Sequence, residues 1–295
     1  MTRPAFALAR LDRLMDRAGG AAGVRIGLID GAVEGSHPAL ATARIETPAG
    51  DGDGARCLLA DSIGCRHGTF LASLLVGNGA LDIHGICPQA TLVSLPVFAD
   101  LPAGAGAPAV NPALLAAAIH RLIDARADVI NLSVGIAAGS PRPIPEMVEA
   151  CDRARATGTL LVAASGNQGR LGPVWLFAHD WVIPVAACLA DGAIDLRSNL
   201  GPGIGRRGLR APSGVRGAVA PDGAGIMGGS SVATTFVTGT LALLRALHPR
   251  LPAARLREAL LLDPRRVRSI VPPLLDAAAS LAWLERRHPS AGVAA

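Results

Sequence analysis

The sequence predicts an α/β fold with a mostly parallel central sheet and helices on both faces. Half of the 295 residues are hydrophobic and only 17% are charged, so the chain can bury a large core. Its strand candidates are short continuous apolar runs, as in 24–29, and not alternating ones. Strands of this kind alternate with helical patterns along the chain, which is typical of a parallel sheet covered on both sides.

The elements follow in order along the chain. The predicted strands are 24–29, which ends at Asp30, then 91–97, 128–134, 159–164 and 182–187. The predicted helices are a short amphipathic one near the N-terminus, then 67–76, 111–126 with Pro112 at its first position, 145–157, 231–247, 252–262 and 275–285. The stretch 198–229 gives no regular pattern and is expected to be irregular.

The pattern is that of one principal domain without internal repeats or linkers. We expect a helical N-terminal extension over 1–23, the main domain over 24–265, and a helical C-terminal tail over 266–295 packed on that domain.

Composition and charge exclude several classes of function. All 28 basic residues are arginine, yet the net charge is only +5 and aromatic residues make up 3%. Basic clusters without interleaved aromatics do not support nucleic-acid binding. No apolar run reaches the length of a membrane span, and charges in 1–23 interrupt any signal-peptide core. These features predict a cytoplasmic protein that binds neither nucleic acid nor membrane.

The five cysteines stand at 57, 65, 87, 151 and 188, an odd number without a recognisable spacing. Free buried thiols in a reducing compartment are the favoured interpretation, with a Cys57–Cys65 disulfide as the alternative. Cys65 lies two residues before His67, and a packing role is favoured for it.

Polar residues occur where parallel sheets form their sites. Asp30, Ser133 and Asn167 follow strand candidates, and carboxyl ends of parallel strands share one edge. His67 and Ser231 stand at predicted helix N-termini, where free N–H groups favour a developing anion. A serine hydroxyl becomes a nucleophile when a base reaches it and a carboxylate orients that base, and these residue types supply that set.

Six sequence blocks stand in a fixed order along the chain. They are 26–31 IGLIDG with 36–40 SHPAL, 67–72 HGTFLA, 85–90 GICPQA, 128–135 DVINLSVG, 163–167 AASGN and 229–234 GSSVAT. Together they resemble the conserved blocks of the subtilisin family of serine proteases (family S8). The resemblance runs from about residue 24 to 262 and implies a subtilisin-like fold with peptidase activity.

The resemblance also implies roles for particular residues. Asp30, His67 and Ser231 would form the catalytic triad, with Ser231 favoured over Ser230, which stands where the family has threonine. Asn167 and the Ser231 backbone N–H would form the oxyanion hole. The substrate pocket would be lined by Ser133, Val134, Gly135, Ala164, Ser165 and Gly166, and the loop 103–106 would pair with substrate as an added strand.

The chain departs from the family pattern by three substitutions and by a shortened segment at the position of the family's calcium loop. Phe70 replaces a histidine, Thr235-Phe236 replaces proline-histidine, and Gly31-Ala32 replaces a small polar residue and glycine. The segment 77–84 is one residue shorter than the family's calcium loop, which argues against calcium there. The remaining histidines show no ligand spacing, so we expect no metal and no cofactor.

An active endopeptidase competes with two other interpretations. One is a catalytically silent relative that binds peptides, and the other is an esterase or amidase using the same triad. Small size and the short segment before the first strand resemble small subtilisins that remove leaders from precursors, such as the one in quinohemoprotein amine dehydrogenase maturation. The expected partner is therefore a peptide or protein substrate, with general intracellular degradation as the alternative role.

Overall fold

The computed structural model describes residues 2–48, 56–98, 111–133, 144–261 and 269–288. Within them, seven strands form a parallel sheet in the order β2-β3-β1-β4-β5-β6-β7. Their bounds are β1 Arg25–Asp30, β2 Arg44–Glu46, β3 Thr91–Pro96, β4 Val129–Leu132, β5 Leu160–Ala164, β6 Val182–Cys188 and β7 Leu209–Pro212. The central strands β1, β4, β5 and β6 are almost wholly buried, which explains their unbroken apolar sequences.

Helices pack on both faces of this sheet, as the sequence predicts. The helices are α1 Thr2–Leu8, α2 Asp12–Ala18, α3 Ile63–Val76, α4 Pro112–Asp124, α5 Pro145–Thr157, α6 Pro202–Arg207, α7 Ser230–Leu247, α8 Ala253–Leu261 and α9 Ala277–Arg287. Helices α3 and α7 contact each other, and α7 lies across β4 to β7; α4 and α5 form the other packed pair, against β1, β3 and β5.

Helix α7 corrects one expectation from the sequence. In the described part of the chain it is the one helix long and apolar enough to cross a bilayer, although no apolar run was expected to reach that length. Its burial gives the physical reason for its composition, because 78% of it lies inside the protein. A helix surrounded by other elements is apolar on all sides.

Several predicted boundaries are wrong. Helix α3 begins at Ile63 and not at His67, because the Ser62 side chain accepts the Cys65 N–H and caps the helix four residues earlier. The stretch 198–229 is not irregular: it contains α6, β7 and an antiparallel hairpin of β8 Val215–Val219 and β9 Gly223–Met227. The N-terminal segment forms two short helices where one was expected.

The N-terminal helices pack on the main body of the protein. Phe6, Leu11 and Leu14 are buried, and the Phe6 ring lies 6.0 Å from the ring of Phe236 in α7. Phe236, which stands where the family has a histidine, therefore supplies a core contact to α1. The Ala277 N–H donates to the Ala9 carbonyl, which joins the C-terminal helix to the same region.

The cysteines also correct the sequence analysis, which favoured free thiols throughout. Cys57 and Cys65 form a disulfide with their Cα atoms 5.5 Å apart. Cys87, Cys151 and Cys188 are free and buried, as expected. Pairing across eight residues depends on how 57–62 folds back on α3, and no local periodicity encodes that loop.

Candidate active site

The carboxyl ends of three neighbouring strands bring the predicted site residues to one edge of the sheet. Ile29 of β1 is level with Leu132 of β4, which is level with Ala163 of β5. Asp30, Ser133 and the segment 165–167 therefore follow at adjacent strand ends. Neighbouring strands lie about 4.8 Å apart, so these groups occupy one short row.

Asp30 and His67 form a hydrogen-bonded pair. The imidazole Nδ1 lies 2.7 Å from the Asp30 Oδ1, and the Asp30 side chain is fully buried. A carboxylate only accepts hydrogen bonds, so Nδ1 carries the proton and Nε2 is left to face a substrate or nucleophile. His67 lies in the second turn of α3, one turn further in than predicted.

Close backbone contacts bring α3 to Asp30. A Cβ on Gly31 would lie 2.1 Å from the Gly64 carbonyl oxygen, and one on Gly68 would lie 2.4 Å from the Gly31 carbonyl oxygen. Only glycine lets the two backbones approach so closely. The same contact explains why a small polar side chain does not follow Asp30 here: there is no room for it.

The His67 pKa is raised above its ordinary value. Burial opposes protonation, but the charge of Asp30 and its hydrogen bond outweigh that effect and favour the imidazolium. The pair can therefore hold a positive charge that develops on the ring when it takes up a proton.

Ser230 and Ser231 begin α7, and the structure separates their roles. Ser230 is fully buried; its Oγ accepts the Gly166 N–H at 3.1 Å and donates to Asn167 Oδ1 at 3.0 Å. Ser231 is half-exposed, and its N–H belongs to the first turn of the helix, where backbone donors lack intrahelical partners. Of the two hydroxyls, that of Ser231 is therefore the one that a substrate can reach.

Asn167 is held in one orientation by Ser230. Its Oδ1 accepts the Ser230 N–H at 2.8 Å as well as the Ser230 hydroxyl. A backbone N–H can only donate, so the amide oxygen faces Ser230 and the NH₂ group points to the opposite side. A Cβ on Gly229 would lie 2.9 Å from Asn167 Nδ2, which places this donor beside the chain that leads to Ser231.

Ser133 is buried beneath the start of α7. Its Oγ accepts a hydrogen bond from Asn131 Nδ2 at 2.7 Å and lies 3.5 Å from the Ser231 carbonyl oxygen. Thr234 and Thr238 of α7 continue this polar contact, with Thr238 donating to Asn131 Oδ1 at 2.9 Å. The Ser133 side chain therefore joins the end of β4 to α7, and only its backbone remains for the predicted pocket wall.

The loop after β5 is held in shape by Asn199, a residue that the sequence analysis missed. Gly166 has φ +95°, and a Cβ there would lie 2.4 Å from Asn199 Nδ2. Asn199 accepts the Gln168 and Arg170 N–H groups, and its amide donates to Gln168 Oε1 at 2.7 Å. Asn199 thus shapes the loop that presents Asn167, and its position 32 residues downstream left no local signal.

The other predicted pocket residues are distributed as follows. Ala164 ends β5 and Ser165 donates its N–H to Val185, and both side chains are buried. Val134, Gly135 and the loop 103–106 lie outside the described residues.

The departure at Phe70 has a packing explanation. Phe70 is fully buried in α3, and a Cβ on Gly217 of β8 would lie 2.7 Å from its ring. The ring fills the space between the His67 helix and the β8–β9 hairpin, which leads through Gly228 to Ser231.

Comparison with known proteins gives consistent matches. The family model described as the subtilase family, peptidase S8, matches residues 21–265. Subtilisin E of Bacillus subtilis (strain 168) is 26% identical over 246 residues, covering 80% of this chain and 59% of that protein. The subtilisin of Bacillus pumilus is also 26% identical over 246 residues, covering 80% of this chain and 82% of its own length. The chain thus spans about 59% of the length of the first curated relatives it matches.

Solved structures match over most of the chain. A mutant of the protease domain of PatA has a TM-score of 0.77 at 26% identity, covering 90% of this chain and 97% of its own. The patellamide maturation protease PatA has a TM-score of 0.73 at 26% identity, covering 90% and 98%. The prenylagaramide maturation protease PagA, at 23% identity and a TM-score of 0.75, adds evidence for the fold.

Proposed function

Because this chain belongs to the subtilase family, we propose that it is a serine endopeptidase that hydrolyses peptide bonds through an acyl-enzyme intermediate. The observation that carries the proposal is the 2.7 Å hydrogen bond between Asp30 and His67 at the sheet edge where Ser230 and Ser231 begin α7. The retained constellation argues against a silent peptide-binding relative.

In the proposed reaction each group has one step. Ser231 Oγ attacks the scissile carbonyl, and His67 Nε2 takes up its proton and later delivers it to the leaving amine. Asp30 keeps the Nδ1–H tautomer and stabilises the imidazolium. The Asn167 amide and the Ser231 N–H, at the positive end of α7, stabilise the oxyanion of the tetrahedral intermediate.

Labelling with a fluorophosphonate, followed by intact mass measurement, tests the triad. We expect one adduct on the wild type, none on Ser231→Ala, and labelling slowed by orders of magnitude on His67→Ala. Ser230→Ala is the matched control: it removes the adjacent, fully buried hydroxyl but keeps the Ser230 N–H on Asn167 Oδ1, so it should still give the single adduct, at a rate lowered by the lost hydrogen bond to Asn167. An adduct that persists on Ser231→Ala, or its absence from folded wild type, would overturn the proposal.

We further propose that the substrate is a precursor peptide or protein from which a leader is removed. The similarity to PatA, a patellamide maturation protease, supports this role at 26% identity. Digestion of denatured casein beside a randomised peptide library distinguishes the two roles. A processing enzyme cleaves a narrow set of library sequences and leaves casein nearly intact, whereas many cuts in casein would indicate general degradation.

A further inference from the structure

The Cys57–Cys65 disulfide lies directly behind the catalytic histidine. Cys65 is in the first turn of α3, two residues before His67, and is fully buried. Cys57 lies outside the helix and is half-buried, so it is the sulfur that a thiol in solution can approach. The bond therefore ties the loop before α3 to the turn that leads into His67.

A carboxylate converges on the same two sulfurs. The Glu34 carboxylate and both Sγ atoms all lie within 4.8 Å of one another. Glu34 is held there by its own N–H, which donates to Thr69 Oγ1 at 2.9 Å, one turn after Cys65 in α3. Ser36 Oγ donates to Glu34 Oε1 at 2.6 Å and fixes the carboxyl group further. Three segments of chain thus bring two sulfurs and one carboxylate to one point.

This donor set matches the ligand preferences of Zn²⁺. The ion takes thiolate sulfur at about 2.3 Å and carboxylate oxygen at about 2.1 Å, which puts tetrahedral ligand atoms about 3.6–3.8 Å apart. All three ligand atoms lie within 4.8 Å of one another, and the two sulfurs, which are now bonded to each other, would move apart to reach that spacing once the bond opens. Three protein ligands with one open position is a common zinc arrangement. While the disulfide exists, however, the sulfurs are bonded to each other and cannot act as thiolate ligands.

Cys65 has a fixed place in the fold, because it lies in the first turn of α3. The Ser62 side chain already caps the Cys65 N–H, so this turn is preformed. Among the described residues, no other group of three His, Cys, Asp or Glu ligand atoms converges in this way, so Cys151 and Cys188 lack the partner ligands that a metal needs.

We propose that the reduced chain carries a Zn²⁺ site formed by Cys57, Cys65 and Glu34, which excludes the disulfide and replaces it. A dithiol reductant transfers two electrons and two protons to the S–S bond, giving two thiols and the oxidised, cyclic form of the reductant. Zn²⁺ then binds both sulfurs and displaces their two protons. The first turn of α3 is thereby tied to the preceding loop in oxidising and in reducing surroundings.

Cobalt binding tests the site without any use of hydrolysis, so its outcome is independent of the proposed protease function. The native protein is reduced with a dithiol, freed of reductant under anaerobic conditions and titrated with Co²⁺. We expect one Co²⁺ per chain, a thiolate-to-cobalt charge-transfer band in the near ultraviolet, and loss of that band on addition of Zn²⁺. The oxidised protein should show no such band.

Variants assign the ligands. Cys57→Ser and Cys65→Ser should abolish the band, and Glu34→Gln should weaken binding at least about tenfold, since even outer hydrogen-bond partners of metal ligands are worth 10–100-fold. Cys151→Ser is the matched control, a buried free cysteine whose loss should leave the titration unchanged.

Any of three results would overturn the proposal. The first is that alkylation and mass measurement find the 57–65 bond still closed after treatment of the folded protein with the dithiol. The second is that the reduced wild type binds Co²⁺ no better than Cys65→Ser. The third is that the band survives in Cys65→Ser and disappears in Cys151→Ser. A Zn²⁺-dependent rise in the melting temperature of the reduced wild type, absent in Glu34→Gln, provides a second readout for variants that fold poorly.

Discussion

Asn167 gives the sharpest test of the proposed oxyanion hole, because its amide oxygen and its NH₂ group have different roles. The Oδ1 accepts two hydrogen bonds from Ser230, and the NH₂ group is left to meet a substrate oxyanion. Asn167→Asp keeps an acceptor of the same shape for Ser230 and removes the donor. Asn167→Ala removes both. Comparing the two variants separates catalysis from stability.

The expected magnitudes follow from these contacts. Loss of one preorganised oxyanion donor costs about 100- to 1000-fold in kcat, or about 2.7–4 kcal/mol. Asn167→Asp should lose at least this much, since its charge also repels the oxyanion. Asn167→Ala leaves the fully buried Ser230 donors unpaired, at about 1–3 kcal/mol for each. Its free energy of unfolding should therefore fall, whereas that of Asn167→Asp should stay near the wild-type value.

The assay is kcat and KM on a peptide amide substrate chosen from the library, with urea unfolding of the same preparations. KM should change little, because the donor acts on the intermediate and not on the bound substrate. Gln168→Ala is the control for distortion of the same loop, since it removes the hydrogen bond to Asn199 and leaves the Asn167 amide in place. Activity of Asn167→Asp within about threefold of the wild type would refute the assignment.

Three further predictions concern the Asp30–His67 pair and the N-terminal helices. Asp30→Asn should lower kcat by about 10⁴-fold. It should also shift the acid limb of the kcat/KM profile to lower pH, because it removes the charge that raises the His67 pKa. An unshifted acid limb would contradict this prediction. Because that pKa is higher in the folded chain, the proton on His67 stabilises the fold fully below about pH 6.5, and this contribution disappears as pH rises through the folded value. In urea unfolding, the wild type should therefore lose stability relative to His67→Gln between neutral and mildly alkaline pH; a constant difference across that range would argue against the raised pKa. Phe6→Ala should lower the free energy of unfolding by about 3–5 kcal/mol, since Phe6 packs in the core against Phe236. The control Arg3→Ala, at an exposed position, should change the free energy of unfolding by less than about 0.5 kcal/mol. Equal effects of the two variants would mean that α1 is not part of the folded core.

Some expectations stay predictions. The domain boundaries at 24 and 265, the narrower likeness to the quinohemoprotein enzyme and the absence of calcium from 77–84 belong here. The cytoplasmic location does as well, and the Cys57–Cys65 bond bears on it because disulfides persist mainly in oxidising compartments. Locating the tagged chain in cells would show whether the compartment that holds the Cys57–Cys65 disulfide is oxidising or reducing.

The sequence by itself determined the features that repeat locally. Continuous apolar runs specify buried parallel strands, and the predicted 145–157 helix agrees with α5 because Pro145 at its first turn and Gly158 at its end mark both limits. The order of strands and polar residues was enough to predict that Asp30, Ser133 and Asn167 share an edge, since all follow strands of one parallel sheet.

Tertiary structure alone decided contacts between segments that are distant along the chain. The orientation of the Asn167 amide depends on Ser230, the shape of its loop on Asn199, and the approach of α3 to β1 on Gly31 against Gly64. None of these has a period or a spacing that a sequence can display. The Cys57–Cys65 bond belongs with them despite its short separation, because disulfide formation requires the two Cβ atoms to face each other, and only the folded loop before α3 arranges that.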